Sequence, residues 1–370
     1  MRSDQQTIAR GFADLRRGEH VIVREAGGSA CLITPAEQIN QTTCATMAEL
    51  ANSTPVLTIS HHRARAIGLK PKAEIPAVSI ALPPSISHHD LGGLIGDHNH
   101  IPPLNQLSLL PEKTGSLAET ALILMRLARL LPAVLVARLS LTSDAEVRKM
   151  ADTHGLLVLN ETAIREFEAV SARQLREVAE APLPLADAET ARIIVFRPSD
   201  GGGEHFAIRI GEGETAGAEA MPVRIHSQCI TGDILASLKC DCGDQLRTAI
   251  RRMAEMGQGV LIYLAQEGRD IGLVNKLKAY ALQDKGADTV DANHMLGFDA
   301  DHRHFLPAAE ILRKLGITSI KLMTNSPDKL AQIKACGIEV VERIPLVAPA
   351  NPHNSKYLAT KKTRSGHFIN

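Results

Sequence analysis

The sequence predicts an α/β protein of two domains, and three observations carry that reading. The chain has 370 residues, enough for two separate cores. Apolar strand-like runs alternate with segments of helical periodicity in both halves. The stretch VAEAPLPLADAETA at 178–191 reads as a seam, because Pro182 and Pro184 interrupt regular structure among small residues. The expected domains are residues 1–185, of α+β type, and residues 192–370, of α/β type.

In the first half, His20–Arg24 (HVIVR) and Ala30–Ile33 are strand-like. Glu119–Leu131 predicts a helix ended by Pro132, and Ala133–Leu139 a strand after it. Glu146–His154 predicts a helix closed by Gly155, followed by a strand at Leu156–Leu159. The second half opens with strands at Arg192–Phe196, Phe206–Ile210 and Val223–His226. Leu246, Ile250 and Met253 recur at helical spacing in Gln245–Met256. Gly259–Leu264 predicts a short buried strand and Leu273–Leu282 a helix. Ala308–Leu315 predicts a helix capped by Gly316. Ser319–Met323, Pro327–Ala335 and Ile338–Val341 then read as strand, helix and strand.

Composition bounds the partners. With 41 basic and 41 acidic residues, no sign of charge dominates, which argues against general nucleic-acid binding. Three tyrosines, seven phenylalanines and no tryptophan leave few platforms for stacking bases. The most apolar stretch, ALILMRLARLLPAVLVARL, carries Arg126, Arg129 and Arg138 and is broken by Pro132, so a membrane span is not expected. The N-terminal residues lack the apolar core of a signal peptide. A cytoplasmic protein is the expectation.

The chemistry concentrates on Cys229, Cys240 and Cys242, a C-x10-C-x-C pattern with no fourth cysteine nearby. Three thiolates hold zinc and leave one tetrahedral position for water, the arrangement of a catalytic rather than a structural site. The competing reading is two small apolar residues in a core. Asp241, Gly243 and Asp244 favour a tight polar turn and hence the metal. Cys31, Cys44 and Cys336 are scattered and read as packing thiols, and free thiolates suit a reducing compartment.

Three polar clusters fall at ends of predicted elements. Gln266-Glu267-Gly268-Arg269 follows the strand GVLIYL, where α/β sheets bind ligands. Arg269 offers a fork for phosphate, and Glu267 an acceptor for the adjacent N–H donors of a guanine; a solvated turn is the alternative. Thr324-Asn325-Ser326-Pro327-Asp328-Lys329 combines an N-cap, a proline at the first helical position and a lysine, which suits a phosphate or simply a capped helix. Asp301 and Arg303 in DADHRH form either a catalytic pair or a surface ion pair.

Taken in order, VRIHSQCITGD, SLKCDCGDQL, YLAQEGRDIGLVNKLKAYALQDKGADTVDANHMLGF, DADHRHF, LMTNSPDK and the tail NPHNSKYLATKK with GHFIN closely resemble GTP cyclohydrolase II of riboflavin biosynthesis, over roughly residues 192–370. The resemblance implies zinc on Cys229, Cys240 and Cys242, with activated water attacking C8 of guanine and releasing formate. It makes Asp301 a proton acceptor and Arg303 a nucleophile at the α-phosphate that expels pyrophosphate. A guanidinium stays protonated at ordinary pH, so charge stabilisation is an open alternative for Arg303. Arg224, Ile225, His226, Ser227, Gln228, Gln245, Glu267, Gly268, Arg269, Thr289, Thr324 and Lys329 match nucleotide-contacting positions, and Tyr280 a tyrosine tied to handling of the opened ring. Magnesium on the triphosphate and a homodimer are implied as well.

Two positions depart from the family pattern. Gln228 stands for a glutamate before the cysteine, and Ala265 for an arginine before Gln266. If the missing pair forms a salt bridge, losing both members is near neutral while losing one strands the other. The departures equally suit a paralogue that stops at a formamide or takes another nucleotide; a non-catalytic nucleotide sensor is a third reading. The first half resembles 3,4-dihydroxy-2-butanone 4-phosphate synthase through LRRGEHVIV, LAETALILMRLARLLPAVLVARL and AEVRKMADTHGLLVLNETAIREF. Its acidic magnesium loop is reduced to Arg24-Glu25-Ala26-Gly27-Gly28-Ser29-Ala30, and its metal-ligand histidine is absent from Ser116-Leu117-Ala118-Glu119. That half is expected to fold like the synthase and to be inactive. His61, His62, His88, His89, His98 and His100 read as solvated or packing histidines, with a second metal site the lesser alternative.

Overall fold

The computed structural model describes residues 3–368, apart from 41, 84–85, 98–99, 142, 212–219 and 348 and the side chains of His88 and Gln106. It divides into two compact units. One comprises Met1–Glu168, Leu277–Ala287 and Asp291–Asp301; the other Ala169–Lys276, Asp288–Val290 and His302–Asn370.

The first unit holds strands β1 Val21–Arg24, β2 Ala30–Pro35, β3 Val56–Ser60, β4 Ala77–Ala81, β5 Ser108–Glu112, β6 Ala133–Leu139 and β7 Leu157–Asn160. They form a seven-stranded sheet in the order β5-β4-β3-β6-β2-β1-β7. Its pairs are antiparallel except β1 with β7. Alternate residues feed two clusters: Ile22, Leu32, Leu57 and Leu135 go to one, Val21, Val23, Ile33 and Val136 to the other. Both faces are therefore covered, which is why VIV and AVLVA are apolar without alternation.

Arg63 is fully buried in this unit. Its guanidinium donates to the carbonyls of Gly93 at 2.7 Å, Leu94 at 2.9 Å and Met295 at 2.6 Å. Ser60 Oγ donates to Gly297 O at 2.6 Å. His62 Nε2 meets Asp299 Oδ1 at 2.9 Å, and its ring stacks on His294. His89 stacks on His100, which meets Asp90 at 2.6 Å. These histidines are thus used in packing and hydrogen bonding; His98 and the side chain of His88 lie outside the described residues.

The second unit holds β8 Arg176–Pro182, β9 Ala191–Arg197, β10 His205–Ile210, β11 Met221–Ser227, β12 Gly259–Leu264, β13 Ser319–Met323 and β14 Glu339–Ile344, in the order β14-β13-β11-β12-β10-β9-β8. From β14 to β12 the neighbours are parallel, and from β12 to β8 antiparallel. Residues 178–182 and Ala191, from the stretch expected to be the seam, belong to this sheet. Strand β8 is its fully exposed edge, and Pro182 ends it, where a missing N–H costs little. The prolines there mark the end of an edge strand, and the chain first leaves the first unit upstream, after Glu168.

Candidate active site and metal centre

The parallel half of the second sheet sets out the site. Parallel strands present their carboxyl ends on one side, where α/β sheets bind ligands. β11 ends at Ser227 and leads into Cys229; its neighbour β12 ends at Leu264 and leads into Gln266-Glu267-Gly268-Arg269. Along β11, Val223 and Ile225 point into the apolar core, so Arg224 and His226 share the opposite face.

Cys229, Cys240 and Cys242 converge, with their ligand atoms within 4.8 Å of one another. Among the described residues theirs is the one group of three or more metal-type side chains so arranged. The Cys229 and Cys240 sulfurs are 3.7 Å apart. Sulfurs each 2.3 Å from a tetrahedral zinc would stand about 3.8 Å apart, so the set fits that ion. Cys240 lies in the turn before helix Cys242–Glu255, and Cys242 opens that helix. Two glycines make room: a Cβ on Gly232 would come 2.8 Å from the Cys240 sulfur and 3.2 Å from that of Cys229, and one on Gly243 would strike Gly232 O at 2.3 Å.

Three thiols this close cannot all ionise without a cation. Hydrogen bonds from Cys240 and Cys242, with help from the Lys276 ammonium, hold the Cys229 thiol well below its ordinary value. The cost falls on the others: Cys240 is pushed up to about 11, first by its contact with Cys229, and Cys242 is raised for the same reason. A divalent cation removes this conflict.

The side chains behind the triad are tightly paired. Lys276 Nζ donates to Cys229 Sγ at 3.1 Å, Thr231 Oγ1 at 2.8 Å and Glu267 Oε1 at 2.8 Å. The other Glu267 oxygen accepts from Ile230 N at 2.6 Å. Asp233 accepts from Cys229 N at 2.9 Å and from the Tyr263 hydroxyl at 2.9 Å, and meets His226 Nε2 at 3.0 Å. Burial holds His226 below its ordinary value against the pull of Asp233. The sequence reading missed Thr231, Gly232, Asp233, Tyr263 and Lys276. The short string ITGD after Cys229 was the available signal.

Arg224 donates to Met323 O at 2.9 Å and Gln245 Oε1 at 2.6 Å. Its Nε and the Nδ1 of His226 are buried with no hydrogen-bond partner. Burial lowers Arg224 to about 10, so it remains a cation at neutral pH. Thr324 is buried and accepts from Ser326 N at 3.1 Å. Lys329 is buried too; its ammonium donates to Ile225 O at 2.6 Å and lies 4.8 Å from the Phe305 ring centre. Gly268, Arg269 and Asp270 all have left-handed φ, at 66°, 60° and 72°. Two consecutive non-glycine residues in that region are costly and mark a loop held for a purpose. Gln228 N donates to Leu264 O at 2.8 Å, and Ser227 is in register with Leu264, so Gln228 and Ala265 follow neighbouring positions on adjacent strands. Thr289, the first residue of helix Thr289–Met295, and Arg303 belong to this unit. Tyr280, on helix Gly272–Asp284, and Asp301 belong to the first unit.

Known proteins match this chain over these same elements. The family model for GTP cyclohydrolase II matches residues 176–345. A GTP cyclohydrolase-2 from Azospirillum brasilense is 45% identical over 367 residues, covering 98% of this chain and 94% of that protein. Riboflavin biosynthesis protein RibBA of Phocaeicola vulgatus is 33% identical, covering 98% of this chain and 97% of its own. A two-domain 3,4-dihydroxy-2-butanone 4-phosphate synthase from A. baumannii matches at 16% identity over 92% of this chain and 99% of its own, with a TM-score of 0.37, a likeness on which no conclusion rests. Identity of 45% along almost the whole of both chains, together with the family match, means that the chain belongs to the GTP cyclohydrolase II family.

Proposed function

We propose that the protein is a zinc-dependent GTP cyclohydrolase II acting in riboflavin biosynthesis, which hydrolyses GTP to 2,5-diamino-6-(5-phosphoribosylamino)pyrimidin-4-one, formate and pyrophosphate. The observation that carries the reading is the convergence of three cysteine sulfurs within 4.8 Å of one another, one pair of them 3.7 Å apart, the spacing of a tetrahedral zinc site. When bound, zinc supplies Lewis acidity and a nucleophile at neutral pH. Lys276 fixes Cys229 and Glu267 together, and Asp233 fixes the backbone of Cys229. The buried cation of Arg224 and the cations Arg269, Arg303 and Lys329 suit a triphosphate, with magnesium offsetting its remaining charge. Asp301 is assigned as proton acceptor, Arg303 as the residue acting at the α-phosphate, and Tyr280 as a contact to the opened ring.

A homodimer fits the exposed Ile234, Leu235 and Leu238 beside the cysteines, at 72%, 69% and 58% accessible. No described helix is long and apolar enough to cross a membrane, and a cytoplasmic location suits the free thiols. The first domain is proposed to be inactive as a synthase. The loop that has lost two acids closes in a tight turn, Glu25 N to Ser29 O at 3.0 Å, and offers one carboxylate.

Gln228 directly precedes a metal-type cysteine and Ala265 directly precedes Gln266. That placement supports a second reading, a paralogue that stops at a formamide or takes another nucleotide. Zinc-loaded protein incubated with GTP and magnesium, with products followed by mass spectrometry, separates the two. Formate, pyrophosphate and the diaminopyrimidine are expected. Pyrophosphate without formate, or no turnover, transfers the assignment to the divergent paralogue.

A further inference from the structure

The C-terminal helix Ser355–Ser365 has no buried residue, so apolar packing does not account for where it lies. Polar anchors do. Arg364 Nη1 meets Asp288 Oδ2 at 2.8 Å. Beyond the helix, Phe368 N donates to Asn325 O at 2.9 Å, and the Arg343 guanidinium sits 4.8 Å from the Phe368 ring centre. The third anchor is at the cysteines: Lys361 Nζ donates to Asp241 Oδ1 at 2.7 Å.

Asp241 is the residue between Cys240 and Cys242, and it is only 2% exposed. It stands at the N-cap of helix Cys242–Glu255 yet makes no capping bond. Its other oxygen accepts from Gln245 Nε2 at 2.6 Å, and Gln245 Oε1 accepts from Arg224 Nη2 at 2.6 Å. A chain of hydrogen bonds thus runs from the C-terminal helix through the metal turn to the buried arginine. Lys361 lies on this chain with its ammonium 4.3 Å from the Tyr357 ring centre, one turn back on its own helix.

The electrostatic consequence follows from burial. The buried Asp241 carboxylate is held between the two cysteines by Lys361 on one oxygen and Gln245 on the other. Without Lys361 the buried Asp241 charge would lose its directly bonded cation and keep only the Gln245 hydrogen bond and the Arg224 charge beyond it, which is unfavourable in a low-dielectric setting. We propose that the C-terminal helix is a latch on the metal turn, in which Lys361 neutralises Asp241 between the two cysteines and so allows the triad to retain its cation. Lys361 acts here as a positioning residue for the metal ligands and, through Gln245, for Arg224. The inference rests on the metal reading given above.

The test uses full-length zinc-loaded protein competed with EDTA, with zinc release read by a zinc-responsive dye and melting temperature recorded alongside. Lys361→Ala should lose zinc at about tenfold lower chelator concentration, the size expected when a group supporting a metal ligand is removed. Lys361→Ala combined with Asp241→Asn should recover most of that loss, because the stranded charge has gone too. Lys361→Ala with wild-type zinc retention would overturn the latch. So would a double variant as poor as the single one, since a merely structural helix predicts a lower melting temperature that Asp241→Asn does not repair. Wild-type protein that takes up no zinc would overturn the metal reading itself, and the latch with it.

Discussion

At Gly232 the absence of a side chain is what the cysteines require. A Cβ there would sit 2.8 Å from one ligand sulfur and 3.2 Å from another, distances that only movement of the ligands relieves. Gly232→Ala should therefore weaken zinc retention by about tenfold or more while the protein stays folded. Equilibrium dialysis with circular dichroism checks both halves of that statement, and unchanged zinc uptake would refute it. The pair Gln228 and Ala265 makes a different case. Ser227 is in register with Leu264, so Gln228 and Ala265 are the first residues beyond two paired strand ends, and we propose that side chains there can pair. Ala265→Arg alone should lower kcat/KM and melting temperature, because its charge lacks a partner. Gln228→Glu together with Ala265→Arg should restore both, and equal behaviour of the two variants would end the compensation idea. The cysteines were legible because three rare, reactive side chains at close spacing have few other uses. Gly232, Asp233 and Lys276 were not: their roles depend on distances to Cys229, and Lys276 reaches it from 47 residues away.

Among the elements, those with a buried face announced themselves. Ala133–Leu139, Gly259–Leu264, Ser319–Met323 and Pro327–Ala335 lie where their apolar runs and caps placed them. The helix Ser355–Ser365 and the strand β8 gave no comparable signal, since the first has no buried residue and the second is exposed along its length. Elements held by polar anchors should respond to pH, and the C-terminal segment offers the means. Burial, reinforced by the cations Lys361, Arg269 and Arg303, lowers His367 from 6.5 to about 4. With its pKa depressed in the folded state, the unfolded chain binds more protons between pH 6.5 and about 4. The contribution of His367 is thus complete above pH 6.5 and is lost as pH falls toward about 4. His367→Gln should flatten that part of the melting-temperature profile. Metal-free protein is the appropriate sample, because zinc release at low pH would add its own slope; a profile of unchanged steepness would show that His367 is not the group responsible.

For the whole molecule, the question is what ties residues 291–301 to a unit built mainly on the first half of the chain. Sequence order assigns residues 291–301 to the cyclohydrolase region, since the family match runs from 176 to 345. Packing assigns them to the unit built on residues 1–168. No sequence pattern reveals this, because two of the three partners are backbone carbonyls. Arg63 supplies Met295 O, Ser60 supplies Gly297 O, and His62 meets Asp299. Gly297 has a φ of 92°, and a Cβ there would press on Pro132 and Ser60 at 2.9 Å, so the segment has little freedom to find other partners. Arg63→Ala would leave the carbonyls of Gly93, Leu94 and Met295 without this donor in a dry interior, at a cost of about 3 kcal/mol or more. Ser60→Ala, which removes one hydrogen bond, should cost about 1 kcal/mol. Hydrogen exchange on the full-length protein locates the effect: amides of 293–300 should exchange faster in both variants, in that order of severity, while those of β11 and β12 keep their protection. Exchange of 293–300 unchanged in both variants would show that Arg63 and Ser60 do not hold this segment.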